Sequence, residues 1–376
     1  VFVHLRLRNR IFNSSWSALC LYVVLGLLGA FMVNVIHPLD PIASVEPFEK
    51  VPNVEANHPP KLTDVKSVTD EWFVSEGTRC HGWLVLPERE TTNFAPLVVM
   101  GHGFGGQKDM GLMKYAWEFA QEGIASFVID YRGLGASDGM PRNEVDPSEH
   151  VKDFIVAVNH MIDTRSDIDT SRIALFGTSM SGGLVIEAAA ALGDKVKAVV
   201  SQAPTLDGRQ NTIFNMRNRG ILASLRLVLN GLTDLSRRAI GLSTLYLPIV
   251  GLKGRDIALM EVDQKELDAY YSKHPPNQKP SVPYLGGWQP KVAAAVAVKY
   301  SRMRPIRVIE HIAGPILFIR PAWDSVVPNH VIPQAAKLSK NPRTRIYQTE
   351  YGHFEQYTKA FDATVNEMLL FLKENI

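Results

Sequence analysis

The run Gly177-Thr178-Ser179-Met180-Ser181-Gly182-Gly183 could do chemistry on its own terms. The apolar stretch Arg172–Phe176 precedes it and reads as a strand; Met180–Leu192 follows and reads as a helix. The pattern G-x-S-x-G places a serine on a sharp strand-to-helix turn, with its hydroxyl projecting above the sheet. The turn is tight, so small residues are needed two positions before and two after the serine. The next amide, Met180 N–H, then stands at a helix N-terminus, where a developing oxyanion is stabilised. Ser181 occupies the place of the second glycine and is small enough to fit. An apex at Ser181 also satisfies the pattern, flanked by Ser179 and Gly183. The end of the apolar strand at Phe176 and the turn marked by Gly177 favour Ser179. The non-catalytic alternative is a Ser/Gly-rich turn that merely opens a helix. A serine hydroxyl is a poor nucleophile near neutral pH. It needs a positioned base, and the base needs an orienting carboxylate.

Two further loops follow apolar strands. One is Gly101-His102-Gly103-Phe104-Gly105-Gly106; the other is Asp130-Tyr131-Arg132-Gly133-Leu134-Gly135-Ala136-Ser137-Asp138-Gly139. With the serine turn, they make the chain resemble the α/β-hydrolase superfamily from about Lys66 to Ile376. Within it, the likeness is to esterase-like hydrolases related to acetyl-xylan esterases and X-Pro dipeptidyl peptidases. The resemblance implies that the H-G-x turn supplies a second oxyanion donor, the Phe104 N–H. It also implies a structural role for the second loop, with Arg132 and Asp138 holding neighbouring loops.

In this fold the chain order is serine, acid, histidine. Asp324 lies on the loop leaving the strand Pro315–Ile319, 145 residues after Ser179. His353 follows the strand Thr344–Gln348, 29 residues after Asp324. Each stands at the carboxyl end of its own strand, as the resemblance requires of the orienting acid and the base. Glu350 and Asp207 are rival acids, and His102 is a rival base.

A different chemistry is also written here. Gly101, Gly103 and Gly106 satisfy G-x-G-x-x-G, and Asp130 lies 24 residues beyond Gly106. That imitates a dinucleotide fingerprint, but leaves Ser179, Asp324 and His353 without a purpose. A third class is a membrane-tethered binding protein on a catalytically dead hydrolase fold. Neither a P-loop nor an H-E-x-x-H or clustered Cys/His pattern occurs. No cofactor and no metal are expected.

Elements of the right kind flank these residues. Lys66–Ser75 and Thr78–Leu86 read as antiparallel strands around a Glu76-Gly77 turn. Pro96–Met100, Ile124–Ile129 and Val196–Ser201 read as further strands. Asp109–Gln121, Ser148–Ile162 (capped by Ser148), Val331–Leu338 and Ala360–Leu372 read as helices. Strand and helix alternate, so the expected class is α/β: a mostly parallel twisted sheet covered by helices on both faces. Residues 66–206 and 301–376 form the expected catalytic domain. Residues 207–300 interrupt the alternation and read as an inserted cap. Basic residues outnumber acidic ones in it, while the rest of the chain is net negative. Its excess is either a solvated surface or a basic rim facing anionic lipid or an anionic substrate.

The chain has 376 residues, 46% hydrophobic and 21% charged, with a net charge of +2. This is ordinary globular composition, and no global field points to nucleic acid as a partner. Cys20 and Cys80 alone exclude a disulfide framework. Ile11 to Leu39 contains no Asp, Glu, Lys or Arg. Within it, residues 16–36 read as an apolar helix of the roughly 20 residues that span a bilayer. Arg6, Arg8 and Arg10 lie in the basic segment 1–15 before it, and residues 37–65 read as a linker. The positive-inside rule then sets the N-terminus in the cytoplasm and the catalytic domain across the membrane. The alternative is a cleaved signal peptide and a secreted enzyme. The expected whole is an α/β-hydrolase fold preceded by one transmembrane helix. Its expected activity is a Ser-His-Asp serine hydrolase acting on small-molecule carboxylic esters through an acyl-enzyme. Peptidase, amidase and acyltransferase activities are alternatives on the same three residues.

Overall fold

A computed structural model describes residues 20–38, 40, 43–44, 65–88, 94–272 and 288–376. The basic segment 1–15 and the Pro-rich run 274–283 lie outside the described residues, as does most of the expected linker.

One sheet organises the catalytic domain. Its strands are β1 (Val65–Ser75), β2 (Thr78–Pro87), β3 (Ala95–Gly101), β4 (Ala125–Ile129), β5 (Ile168–Thr178), β6 (Val196–Gln202), β7 (Ile316–Pro321) and β8 (Arg345–Thr349). The spatial order is β1-β2-β4-β3-β5-β6-β7-β8. β1 pairs antiparallel with β2, and β2 with β4; every later pairing is parallel. The β1–β2 turn uses Glu76 and Gly77, both at positive φ, which matches the twist of a two-residue hairpin.

The parallel strands are continuous apolar runs because both faces are covered. Alternation along them sorts side chains between two layers. Val99, Leu175, Val199 and Phe318 join one core with α3 (Pro147–Thr164) and α4 (Met180–Leu192). Val98, Phe176, Val200 and Ile319 join a second with α2 (Leu112–Gln121) and the last helix, Phe361–Asn375.

Two helix starts differ from expectation. Asp146, not Ser148, caps α3: its carboxylate accepts the Ser148 N–H at 3.1 Å, with Pro147 in the first turn. With proline at the first helical position, the cap stands two residues upstream of the expected one. α2 begins at Leu112, after Gly111 at φ 83°. That left-handed residue keeps Asp109 and Met110 out of the helix.

Between β6 and β7 lie α5 (Gly208–Arg219), α6 (Ile221–Ala239) and α7 (Gln264–Ser272). Two small sheets also lie there. One pairs Tyr246–Pro248 with Lys291–Ala293, the other Val250–Leu252 with Met260–Val262. Residues 20–36 form a helix, here α1. Among the described residues, no helix is long and apolar enough to cross a membrane. The expected transmembrane anchor at 16–36 is therefore not supported there, and its residues 16–19 lie outside the described residues.

Candidate active site

The strand β5 delivers Ser179 to the carboxyl edge of the sheet, and α4 starts at the next residue. Ser179 sits at φ 57°, ψ −120°, a conformation that side chains other than glycine rarely adopt. Backbone bonds hold it there: Ser179 N–H donates to the Gln202 carbonyl at 2.8 Å, and the Ser179 carbonyl accepts from Gly182 and Thr205, each at 3.0 Å.

The structure brings the three residues expected from the sequence together. His353 Nε2 lies 2.9 Å from Ser179 Oγ, and His353 Nδ1 lies 2.7 Å from Asp324 Oδ2. All three side chains are buried, which strengthens each contact. The other oxygen, Asp324 Oδ1, accepts the Val326 and Val327 N–H groups at 2.8 Å each, so Oδ2 is left to face the histidine. In this arrangement the imidazole can take a proton from Ser179 Oγ while the carboxylate stabilises the resulting imidazolium.

The rivals are engaged elsewhere. Asp207 caps α5 through the Arg209 and Gln210 N–H groups and pairs with Arg304 at 2.8 Å. Glu350 is exposed and accepts from Gln348 Nε2. His102 Nδ1 lies 2.9 Å from the carbonyl of Gly103. The dinucleotide reading fails on Asp130, which is fully buried and bound to Lys108 Nζ at 2.6 Å and to the amides of Lys108 and Ala136. It has no face left for a ribose.

The H-G-x turn lies against the nucleophile: a Cβ on Gly103 would stand 3.2 Å from Ser179 Cβ. Met180 is the first residue of α4 and Phe104 lines the cavity with Ser179. Both amides belong to the two segments that flank Ser179. Ser181 is wholly buried and structural. Its hydroxyl donates to the His102 carbonyl and lies 2.7 Å from Tyr131 OH. It thus ties the elbow to the H-G-x turn, a role a glycine in its place lacks. Ser181→Gly should leave kcat within roughly tenfold of wild type. It should lower stability by about 1–3 kcal/mol, because two buried groups lose their partner. Thermal unfolding beside an ester assay checks both; a kcat loss as large as that of a nucleophile variant would contradict this role.

Behind Tyr131 stands His150, stacked on its ring at 4.5 Å. Burial lowers its pKa from 6.5 to about 4, and the same cause lowers His81 to about 4. A histidine kept neutral in the fold contributes stability above its unfolded pKa, and this is lost as pH falls from about 6.5 towards 4. For His150 the loss approaches about 3 kcal/mol. Asp109, raised to about 6 by burial, acts in the opposite direction below that pH. His150→Phe keeps the stacked ring and should flatten the acid limb of a plot of denaturation midpoint against pH. An unchanged limb would contradict the assignment.

Two features escaped the sequence. Lys108 is fully buried against Asp130 and over the Trp83 ring at 4.5 Å, fixing the segment after the H-G-x turn. Glu266 reaches from α7 to the histidine loop, accepting the Phe354 N–H at 2.8 Å; burial raises its pKa. A Cβ on Gly352 would overlap the Glu266 carboxylate, which would have to shift to admit one. Beside Ser179 a cavity of about 110 Å³ is walled by Phe104, Asn211, Met216, Leu227, Leu259 and Tyr300, a mostly apolar set. Among the described residues no group of three or more His, Cys, Asp or Glu side chains could hold a metal ion.

A mostly parallel α/β sheet with a serine at a strained strand-to-helix elbow, beside a histidine and an aspartate, defines a serine hydrolase of the α/β-hydrolase superfamily. Family comparison agrees. The family described as serine aminopeptidase, S33 (Hydrolase_4), matches residues 92–331, and the chain belongs to it. That segment holds Ser179 and Asp324; His353 lies beyond it. The chain is 31% identical over 307 residues to the quorum-quenching protein AidA of Acinetobacter baumannii, covering 81% of this chain and 94% of that one. It is 24% identical over 307 residues to the polyketide transferase grgF of a Penicillium species, covering 81% and 96%. Among solved structures, the hypothetical protein PA2218 of Pseudomonas aeruginosa shares the fold with a TM-score of 0.70 at 21% identity, over 84% of this chain and 96% of that one.

Proposed function

We propose that the protein is a carboxylic-ester hydrolase working through an acyl-enzyme. The observation that supports this most is the unbroken chain Ser179–His353–Asp324, opening on an apolar cavity. Ser179 Oγ attacks the ester carbonyl and passes its proton to His353 Nε2. Asp324 accepts from Nδ1–H, holds the tautomer and stabilises the imidazolium. The Met180 and Phe104 amides bind the oxyanion, each of value on the order of 10²–10³ in rate. His353 gives its proton to the departing alkoxide, and the alcohol leaves. The same histidine then takes a proton from water, whose oxygen attacks the acyl carbon; the acid leaves and Ser179 regains its proton. No cofactor enters these steps.

Acyl transfer is the second reading. It is favoured by the polyketide transferase relative, since an acyl-enzyme yields to any nucleophile that displaces water. Full-length protein should turn over short acyl esters faster than dipeptide amides, and this should depend on Ser179. Faster amide cleavage would make it a peptidase. A transfer product dominating when an alcohol or amine acceptor is added would make it a transferase. We further propose that the catalytic domain lies outside the cytoplasm, exported by the segment in which Arg6, Arg8 and Arg10 precede an uncharged apolar stretch. External protease should then degrade the domain in intact cells.

A further inference from the structure

The helix α6 separates two environments. One face, with Ser224, Leu227 and Val228, walls the cavity beside Ser179. The adjoining, outward-facing side carries Leu222, Leu225, Leu229 and Leu232, exposed by 84, 58, 46 and 45%. Spacings of three and four set these leucines in one stripe along the helix. A single exposed leucine is ordinary; an unbroken row of them on one helix marks an interaction surface.

A second apolar surface meets the same helix. α1 ends against α6: Asn34 Nδ2 donates to Thr233 Oγ1 at 3.0 Å, and Arg237 Nη1 donates to the Val35 and Ile36 carbonyls. Asp40, just beyond, accepts from Arg226 and from Asn230 Nδ2. The helix α1 has no charged residue, and Leu21 to Leu25, Leu27, Leu28, Met32 and Val33 are all exposed. Consecutive positions point to every side of a helix, so the apolar surface of α1 runs around its circumference. A groove on a protein partner covers one side only. A medium that is apolar on all sides covers the whole, and the hydrocarbon of a bilayer is such a medium.

We propose that α6 lies in the interfacial layer of a lipid bilayer, its leucine stripe immersed beside α1, and that apolar ester substrates pass from lipid into the cavity alongside it. Immersion of about 5–10 Å suffices for an interfacial helix, so no element has to cross the membrane. The route of the substrate rests on the esterase reading; the lipid contact does not.

The test uses the full chain with Cys20→Ser, so that a fluorophore goes to one introduced cysteine, Cys80 being buried. Leu225→Cys carries it on the stripe. Lys340→Cys carries it just before β8, at the opposite end of the sheet from Ser179. The protein is bound to vesicles of phosphatidylcholine with a minor share of phosphatidylglycerol. At position 225, doxyl-labelled lipid should quench strongly and aqueous iodide weakly, with the reverse at 340. Strong iodide quenching at 225 would overturn the proposal. Protection from both quenchers would too, since protein would then cover the stripe.

The paired variant Leu225→Glu/Leu229→Glu addresses the route. It should turn over a water-soluble short ester as the wild type does. It should lose about tenfold or more against an ester dissolved in the vesicles, because a carboxylate resists burial in lipid. Equal loss on both substrates, or on neither, would overturn the route. Absence of ester turnover in the wild type would instead refute the esterase reading and leave the quenching result to decide the lipid contact.

Discussion

Ser179→Ala is expected to lower kcat by a factor on the order of 10⁶, the cost of removing a triad nucleophile. Alanine is isosteric apart from the hydroxyl, and the backbone bonds from Gln202, Gly182 and Thr205 that set the elbow remain. Stability should therefore change little, and the loss is chemical. His353 Nε2, at 2.9 Å, would have no proton to take. What persists comes from the oxyanion amides and from substrate binding, on the order of 10³-fold above water. Steady-state kinetics on a short ester, with circular dichroism as the check on folding, reads this. A folded Ser179→Ala enzyme that keeps most of its activity would remove the nucleophile from the account.

Asp324→Asn should cost a factor of about 10⁴ in kcat, and the structure says why an isosteric change is so harmful. Oδ1 is held by two N–H donors, from Val326 and Val327. An asparagine must keep its carbonyl oxygen there, since an NH₂ group would face two donors. Its NH₂ then points at His353 Nδ1, now 2.7 Å from Oδ2, and donates to it. The imidazole proton is forced onto Nε2, facing Ser179 Oγ, where a free lone pair is required. Glu350→Gln should leave kcat unchanged. Asp207→Asn keeps a capping oxygen for α5 and should weaken only the ion pair to Arg304. A near wild-type Asp324→Asn with a dead Asp207→Asn or Glu350→Gln would reassign the acid.

Much of this site could be read from the sequence because its parts sit at strand ends. The serine turn after the strand Arg172–Phe176, and the aspartate and histidine each on the loop after its own strand, are local patterns, and the fold's chain order joins them. The helices Met180–Leu192 and Val331–Leu338 fall where periodicity set them. The rest depends on contacts that leave no local trace. Glu266 meets the histidine loop across 88 residues of chain, and one glutamate in an amphipathic helix looks like any other. Lys108 looks like a surface residue until Asp130 and Trp83 close over it. The three-residue strands between β6 and β7 are too short to show a period of two. The membrane span expected at 16–36 is not supported among the described residues, where no helix is both long and apolar enough to cross.

The same geometry separates Ser179 from Ser181, on which the whole reading turns. Only Ser179 meets His353; Ser181 spends its hydroxyl on the His102 carbonyl and Tyr131. The most direct measurement is therefore the site of covalent labelling. Full-length protein is inhibited with a fluorophosphonate, digested and mapped by mass spectrometry. The adduct should sit on Ser179, with labelling abolished in His353→Ala and retained in Ser181→Ala. An adduct on Ser181, or ester turnover that continues with Ser179 fully modified, would contradict the account.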